Sequence, residues 1–384
     1  MREHHPPRAC FNKTRIGGKM CPKKNFLVIG GGVGPAAGVM FHDKIVDLVN
    51  NRNLKDQGHA PVIHLSMSPY VLDRTRFLKN EIQDNPGINM ALAVKAASES
   101  FGDSAGDFVV GVPCNTFHSK RVFNAYRAIL SHPRIHLIHM INETADAIPP
   151  TPLAEGGEIR PKTKVILLST RGTRDTNVYD EGFTQDGKPS RICINGDEAG
   201  NRNKDIILLK CNGESDENDG NLSHFFPGGA GGALGAINND LVVANQQGAV
   251  MAAIYDGRHG VKGRHPDYRA ARQVFERVVE RLVRTNGGGV RGEDQNTQFK
   301  VIMGCTEIPI AYKKEAEAGR GDNFLNADQQ YLDPMDVLGK KMIDVGGYPL
   351  SGVDMVPMDA IQIDPNNHDN AFQFTKNMFP LSKL

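Results

Sequence analysis

The chain has 384 residues, of which 39% are hydrophobic and 23% are charged. These proportions are typical of a globular protein, and the length predicts about two or three domains. The 45 Lys and Arg residues nearly balance the 44 Asp and Glu residues, so the formal charge is +1. The balance argues against the basic surface that binds nucleic acid or an anionic membrane, and we expect neither partner.

The cysteines and the N-terminus indicate the cellular compartment. The six cysteines are scattered and form no disulfide framework, which is typical of a reducing environment. Residues 1–24 are basic and lack the apolar core of a secretory signal, so we predict a flexible extension and a cytoplasmic protein. Cys10 and Cys21 lie near His4 and His5, but their spacing matches no zinc pattern, and no metal is expected.

Predicted strands and helices alternate along most of the chain. Short apolar runs indicate buried strands, and apolar residues three or four positions apart indicate helices. The predicted strands are 26–29, 61–67, 107–113, 135–141, 164–169 and 299–304, and the predicted helices include 88–101, 239–255 and 267–285. This alternation predicts an α/β fold in which helices cover parallel sheets on both faces.

Two segments depart from the alternation. Residues 181–238 are rich in Gly, Asn and Asp, and only 191–195 and 205–210 within them resemble strands. We predict a surface insertion with a small hairpin and a loop, and leave open whether it covers the site as a lid. Residues 346–384 contain four prolines and little periodicity, which predicts a tail packed on the surface.

A glycine-rich turn follows the first predicted strand. Gly32, Val33 and Gly34 precede Pro35, a residue well suited to the first position of a helix. The turn satisfies a loose form of the dinucleotide-binding fingerprint, but residues 66–70, after the second strand, contain no carboxylate to hold a ribose. We therefore discount NAD or FAD, and expect the backbone N–H groups of the turn to approach a small anionic ligand.

Two cysteine segments far apart in the chain resemble each other. Residues 113–118 and 304–309 each follow a predicted strand and contain a Cys followed by hydrogen-bonding side chains. Open α/β sheets bind ligands where strands end and helices begin, and a helix N-terminus favours a thiolate. We predict that Cys114 and Cys305 face each other across a cleft. A single Cys of this kind would be better explained as a small buried side chain.

Cationic and hydroxyl side chains are predicted near the same cleft. Arg74 follows the second predicted strand, and a guanidinium binds a carboxylate through two parallel hydrogen bonds. Lys262 lies in a Gly-rich turn, and Thr173 follows the strand 164–169. Each cation taken alone is better explained as a solvated surface charge, and the threonine segment as a helix cap.

Short segments in a fixed order resemble the motifs of the aspartate/glutamate racemase family, most closely its aspartate racemase branch. The segments are 31–35, 73–75, 113–118, 170–173, 254–255 with 261–262, 304–309 and 332–334. His118 and Glu307 favour that branch, because glutamate racemases usually carry Ala-Ser and His at the corresponding places. The resemblance runs from about residue 26 to residue 342 and omits the insertion.

The resemblance implies two similar α/β domains, related by a pseudo-twofold axis, with the active site between them. Residues 25–132 and 320–345 are expected to form the first domain, and residues 133–319 the second. The family uses no pyridoxal phosphate, metal or nucleotide, so no cofactor is expected, and relatives are commonly homodimers. The insertion and both terminal extensions are absent from compact members, and Val33 stands where many relatives carry Met.

The implied reaction is the inversion of the α-carbon of aspartate or glutamate. A thiolate removes the α-proton on one face and a thiol donates a proton on the other, with Cys114 and Cys305 exchanging these roles. The thiols share one proton, because two thiolates close together repel. The residues expected to bind the substrate are Gly32, Val33, Arg74, Asn115, Thr116, Thr173, Lys262, Thr306 and Glu307.

Other functions stay open on this sequence. The same scaffold and cysteine pair fit a racemase of hydantoins, one of broader amino-acid specificity, or another isomerase. A non-catalytic protein that binds small anions would tolerate Cys→Ser at both positions. The choice between aspartate and glutamate also stays open, because one methylene is a question of pocket depth.

Overall fold

The computed structural model describes most of the predicted α/β region. The described residues are 23–49, 55–102, 105–150, 163–185, 188, 190–193, 204–213, 225–226, 238–263, 268–286, 299–317 and 331–351. Nearly all of the predicted N-terminal extension and C-terminal tail, and much of the predicted insertion, lie outside these residues.

The first half of the chain forms a four-stranded parallel sheet. Its strands are β1 (Phe26–Gly31), β2 (Val62–Ser66), β3 (Phe108–Gly111) and β4 (Ile135–Ile138), in the order β2-β1-β3-β4. Side chains of the central strands β1 and β3 are buried almost throughout, because helices cover both faces.

The second half forms another four-stranded parallel sheet of the same layout. Its strands are β5 (Thr163–Ser169), β6 (Ile206–Lys210), β7 (Phe299–Gly304) and β8 (Tyr331–Leu332), in the order β6-β5-β7-β8. In each sheet the first strand lies between the second and the third, and the fourth lies beyond the third. This repeated order confirms the predicted α/β fold of two similar domains.

Helices surround both sheets. They are α1 (Pro35–Leu48), α2 (Arg74–Leu78), α3 (Pro86–Phe101), α4 (Lys120–Ile129), α5 (Met140–Asp146), α6 (Arg171–Asp175), α7 (Val178–Gly182), α8 (Asn239–Ala244), α9 (Gln246–Tyr255), α10 (Tyr268–Thr285), α11 (Ile308–Glu317) and α12 (Pro334–Gly346). Asp73 and Asn85 cap α2 and α3 through side-chain oxygens that accept backbone N–H groups. None of these helices combines the length and the apolar character that a membrane crossing requires.

Three apolar clusters stabilise the two halves and join them. One lies between the first sheet and the helices α3 and α4, and a second between the second sheet and the helices α9 and α10. The third cluster contains side chains from both sheets together with α1, α7 and α12, and its strand residues include Leu27, Ile29, Val109, Val165, Leu167 and Ile302. The two sheets therefore share a buried core, and this core fixes the position of one sheet relative to the other.

The strand pairing differs from the predicted domain limits. The strand β4 pairs with β3 of the first sheet, although the prediction assigned residues 133–319 to the second domain. The strand β8 pairs with β7 of the second sheet, although the prediction assigned residues 320–345 to the first. Both strands lie at sheet edges, where half-buried side chains give no sequence signal for the choice of partner.

Two further predictions need correction. The strand β6 lies within the predicted insertion 181–238, yet it pairs in parallel with β5, and Ile192 also bridges Ile206 in parallel, so the described residues form no hairpin here. The predicted helix 239–255 is two helices, because Asn245 ends α8 and caps α9 by accepting from the N–H of Gly248. The apolar periodicity continues across this break, so the pattern alone does not reveal it.

Candidate active site between the two sheets

The two cysteines occupy corresponding positions in the two halves. Cys114 follows β3 and precedes a short 3₁₀ helix, Asn115–His118, while Cys305 follows β7 directly. In each half of the chain the cysteine follows the third strand, and this strand pairs with the first strand of the same sheet. Parallel strands carry ligand sites at their carboxyl ends, so this topology puts both thiols where such sites form.

Hydrogen bonds join the segment after Cys114 to the second half of the chain. Asn115 Oδ1 accepts from the hydroxyl of Tyr179 at 2.6 Å, and Thr116 Oγ1 lies 3.0 Å from Thr173 Oγ1. These four side chains are buried. The 3₁₀ helix of the first half is therefore held directly against α6 and α7 of the second half.

The glycine turn of the first half lies against Glu307 of the second. Gly32 has φ of +81°, and a Cβ there would overlap the backbone N of Met67, so the turn requires glycine at this position. A Cβ on Gly34 would lie 3.6 Å from Glu307 Oε1. Val33 is buried in the apolar cluster of the first sheet, which makes it a core residue as well as part of the turn.

Cys305 belongs to a network of polar side chains in which Thr306 and Glu307 are buried and Lys262 is partly exposed. Its Sγ donates to Glu307 Oε2 at 2.9 Å, and Thr306 Oγ1 donates to the same oxygen at 3.2 Å. The other carboxylate oxygen, Oε1, pairs with Lys262 Nζ at 2.9 Å. Lys262 Nζ also lies 4.6 Å from the centre of the Tyr255 ring, a cation–π contact.

This environment keeps the Cys305 thiol protonated. Burial raises the pKa of Cys305 well above its ordinary value, and the Glu307 carboxylate raises it further, while Lys262 opposes the shift. Burial lowers the pKa of Lys262, but Glu307 and Tyr255 outweigh burial, so the net pKa lies above the ordinary value and the amine stays charged. At neutral pH Cys305 is thus a thiol beside the ion pair of Glu307 and Lys262.

Cys114 has a different environment. It is partly exposed, and among the described residues its Sγ has no hydrogen-bond partner. Tyr179 reaches the loop of Cys114, since its hydroxyl donates to Asn115, and Cys305 is among the groups that raise the pKa of its phenol. The structure therefore brings the two cysteine segments to the same interface but gives them unequal surroundings.

Arg74 lies at the edge of this interface. It begins α2, and the neighbouring Thr75 lies against Gly172 of α6. Its Nη1 donates weakly to the carbonyl of Leu72 at 3.4 Å, and its Nε is buried without a hydrogen-bond partner among the described residues. The N–H group at Nε can thus donate to a ligand, although no described contact joins Arg74 to either thiol.

Residues that were not among the predicted site residues also contribute to the site, although two of them, Tyr255 and Asp333, fall within the motif segments 254–255 and 332–334. Tyr179 and Tyr255 lie beside the predicted residues, but an aromatic residue in a helix is indistinguishable in sequence from a core residue. Asp333 is half-buried at the N-cap of α12 and pairs with Lys44 at 3.2 Å, and it is among the groups that raise the pKa of Tyr179. The described residues contain no group of three or more His, Cys, Asp or Glu side chains that could hold a metal ion.

Comparisons with known proteins give distant structural similarity. No protein-family model and no curated protein match the chain. The solved structure of Picrophilus torridus aspartate racemase is similar with a TM-score of 0.48 and 18% identity, over 85% of this chain and 96% of that chain. Glutamate racemase isoform RacE1 from Bacillus anthracis is similar with a TM-score of 0.38 and 11% identity, over 84% of this chain and 81% of that chain. Similarities this distant assign no residue in the present chain.

Proposed function

We propose that this protein is a cofactor-independent racemase of aspartate or glutamate and a member of the aspartate/glutamate racemase family. One observation carries the proposal. The two thiols follow corresponding strands of two similar sheets; buried hydrogen bonds join the loop of Cys114 to α6 and α7 of the second half, and Glu307 in the loop of Cys305 lies against the glycine turn of the first half. A reaction that protonates and deprotonates one carbon on opposite faces needs two such groups.

The surroundings of the thiols suggest their starting roles. Cys305 is held as a thiol by burial and by Glu307, which suits it to donate a proton. Cys114 as a thiolate takes the α-proton, and the proton of Cys305 is delivered to the opposite face of the same carbon. One C–H bond breaks and one forms, so the cycle leaves Cys114 as the thiol and Cys305 as the thiolate. That state is the one needed for the opposite enantiomer.

The polar groups suggest an anionic substrate. An amino acid loses its α-proton more readily when its carboxylate charge is neutralised, and fixed donors achieve this without reorganisation. The candidate donors are Lys262, the buried Nε of Arg74, the Asn115 amide, the hydroxyls of Thr116, Thr173 and Thr306, and the N–H groups of the glycine turn. Glu307 bonds Cys305, Thr306 and Lys262, so in our proposal it raises the pKa of the Cys305 thiol and of the Lys262 amine.

The test is α-proton exchange in deuterium oxide. The purified protein is incubated without added cofactor with L-aspartate or L-glutamate, α-deuteration is followed by NMR, and the D-isomer by chiral chromatography. We expect exchange with inversion for the wild type and loss of inversion by at least about a hundredfold in Cys114→Ala and in Cys305→Ala.

Cys193→Ala is the matched control, because Cys193 is a free thiol outside the two cysteine loops, and among the described residues its Sγ bonds the carbonyl of Lys204. It should leave the rate unchanged. No exchange of either amino acid by the wild type would overturn the proposal, and the same assay would then be applied to hydantoins.

A further inference from the structure

Tyr179 is the most completely buried polar aromatic side chain at the interface. Its ring is fully buried in the apolar cluster that both sheets share. The residue before α7, Asn177, has a left-handed backbone with φ of +52°, which turns the chain between α6 and α7 and presents Tyr179 to the first half. A hydroxyl in such a place requires a partner, and it has one.

The partner is the amide of Asn115, the residue after Cys114. The Tyr179 hydroxyl donates to Asn115 Oδ1 at 2.6 Å. A carboxamide has an acceptor oxygen on one side and an NH₂ donor on the other. Since the oxygen is engaged by Tyr179, the orientation of the NH₂ group is set, and Nδ2 has no hydrogen-bond partner among the described residues. That donor is available to a ligand beside Cys114.

Tyr179 remains a hydrogen-bond donor over the working pH range. Burial raises the pKa of its phenol well above the ordinary value, and the neighbouring Asp333 and Cys305 raise it further. It is therefore unsuited to act as a base, and its hydrogen bond joins it to the site through Asn115.

We infer that Tyr179 is a positioning residue that orients the Asn115 amide so that its NH₂ group donates to a carboxylate of the substrate. The residue belongs to the second half of the chain and the amide to the first, so substrate binding at Cys114 depends on a group from the opposite domain. This inference rests on the proposed function.

The chain contains a matched control for the removal of the hydroxyl. Tyr126 on α4 is also almost completely buried, and its hydroxyl has no hydrogen-bond partner among the described residues. Tyr179→Phe and Tyr126→Phe are thus the same chemical change in two buried positions, of which only one orients an amide.

The experiment compares Tyr179→Phe, Tyr126→Phe, Asn115→Ala and the double variant Tyr179→Phe/Asn115→Ala. Binding of succinate, a dicarboxylate without an amino group, is measured by calorimetry, and kcat and KM for L-aspartate by α-proton exchange. A hydrogen bond to a charged group contributes about tenfold or more to binding. We expect Tyr179→Phe to raise KM and the succinate Kd by about fivefold to tenfold, with kcat changed by less than about twofold. Tyr126→Phe should change neither.

The double variant separates positioning from packing. In the Asn115→Ala background, Tyr179→Phe should have no further effect on Kd, because the amide that it orients is absent. A wild-type Kd for Tyr179→Phe, or an equal effect with and without Asn115, would overturn the inference while the racemase proposal stands. If the wild type neither exchanges the α-proton nor binds succinate, the proposed function fails and the inference fails with it.

Discussion

The two cysteine loops are alike in sequence and unlike in environment. The loop of Cys305 contains a buried carboxylate, Glu307, which bonds the thiol and pairs with Lys262. The loop of Cys114 contains a buried histidine, His118, and its thiol is partly exposed without a hydrogen-bond partner among the described residues. Matching strand ends therefore supply two thiols, while the neighbouring side chains give them different surroundings, in which burial and Glu307 raise the pKa of Cys305.

The histidine stabilises the first loop in its neutral form. His118 Nε2 lies 2.9 Å from the carbonyl oxygen of Val112, to which it donates, so its proton lies on that nitrogen. The ring stacks on Phe123 and meets His139 at its edge. Burial lowers the pKa of His118 well below its ordinary value, and His139 lowers it further. The first loop is thus held by an uncharged network and the second by an ion pair.

Substitution of the charged residues Glu307 and Lys262 beside Cys305 should have the largest effect on the difference between the two thiols. Glu307→Gln removes the carboxylate that raises the pKa of the thiol, so the thiol should ionise at lower pH, and the rate of racemisation should fall by about tenfold to a hundredfold because the proton donor is lost. Lys262→Met removes the opposing charge, so the same thiol should ionise at higher pH. Ultraviolet thiolate absorbance during a pH titration, with Cys305→Ala subtracted, measures both shifts.

Shifts in the same direction for the two variants would contradict the assignment of Glu307 as the group that holds the proton on Cys305. Because this titration is done without substrate, it does not depend on any contact between Lys262 and a substrate carboxylate.

Acid should destabilise the protein through the histidines beside the first loop. Burial lowers the pKa of His139 from 6.5 to about 4, so the unfolded state binds a proton first as the pH falls. The stability that His139 contributes is fully present above pH 6.5 and is lost progressively between pH 6.5 and about 4. The loss from this residue is roughly 3 kcal/mol, measured by urea unfolding across that range.

His139→Gln should flatten this part of the pH profile, since glutamine does not titrate. His132→Gln is the control because His132 is exposed, and it should leave the profile unchanged. An equal flattening in both variants would show that the acid sensitivity arises elsewhere.

Removal of the Thr173 hydroxyl, which bonds Thr116 across the two halves of the chain, should have the smallest effect of these changes. Thr173→Val removes a buried hydroxyl that bonds Thr116 at 3.0 Å and Thr170 at 3.3 Å, and it should lower the free energy of unfolding by about 1 kcal/mol. Thr173→Ser keeps the hydroxyl and should recover most of this difference. Urea unfolding of both variants at neutral pH makes the comparison, and equal losses would mean that the methyl group matters more than the hydrogen bond.

The sequence alone was sufficient to predict the fold class and the position of both cysteines after buried strands. Buried parallel strands are continuous apolar runs, so strands such as β3 and β7 and the residues that follow them are visible without a structure. The partners of β4, β6 and β8 were not visible, because edge strands bury only part of their surface and their pairing depends on contacts distant in sequence.

Only the tertiary structure decided how the two thiols differ. Cys305 is protonated because it is buried and because the carboxylate of Glu307 lies beside it, while Lys262, from a separate element, opposes this effect. The Asn115 amide is oriented because Tyr179 reaches it from the other half of the chain. Burial and distance determine the strength of such electrostatic and hydrogen-bond effects, and neither quantity can be read from the order of residues along the chain.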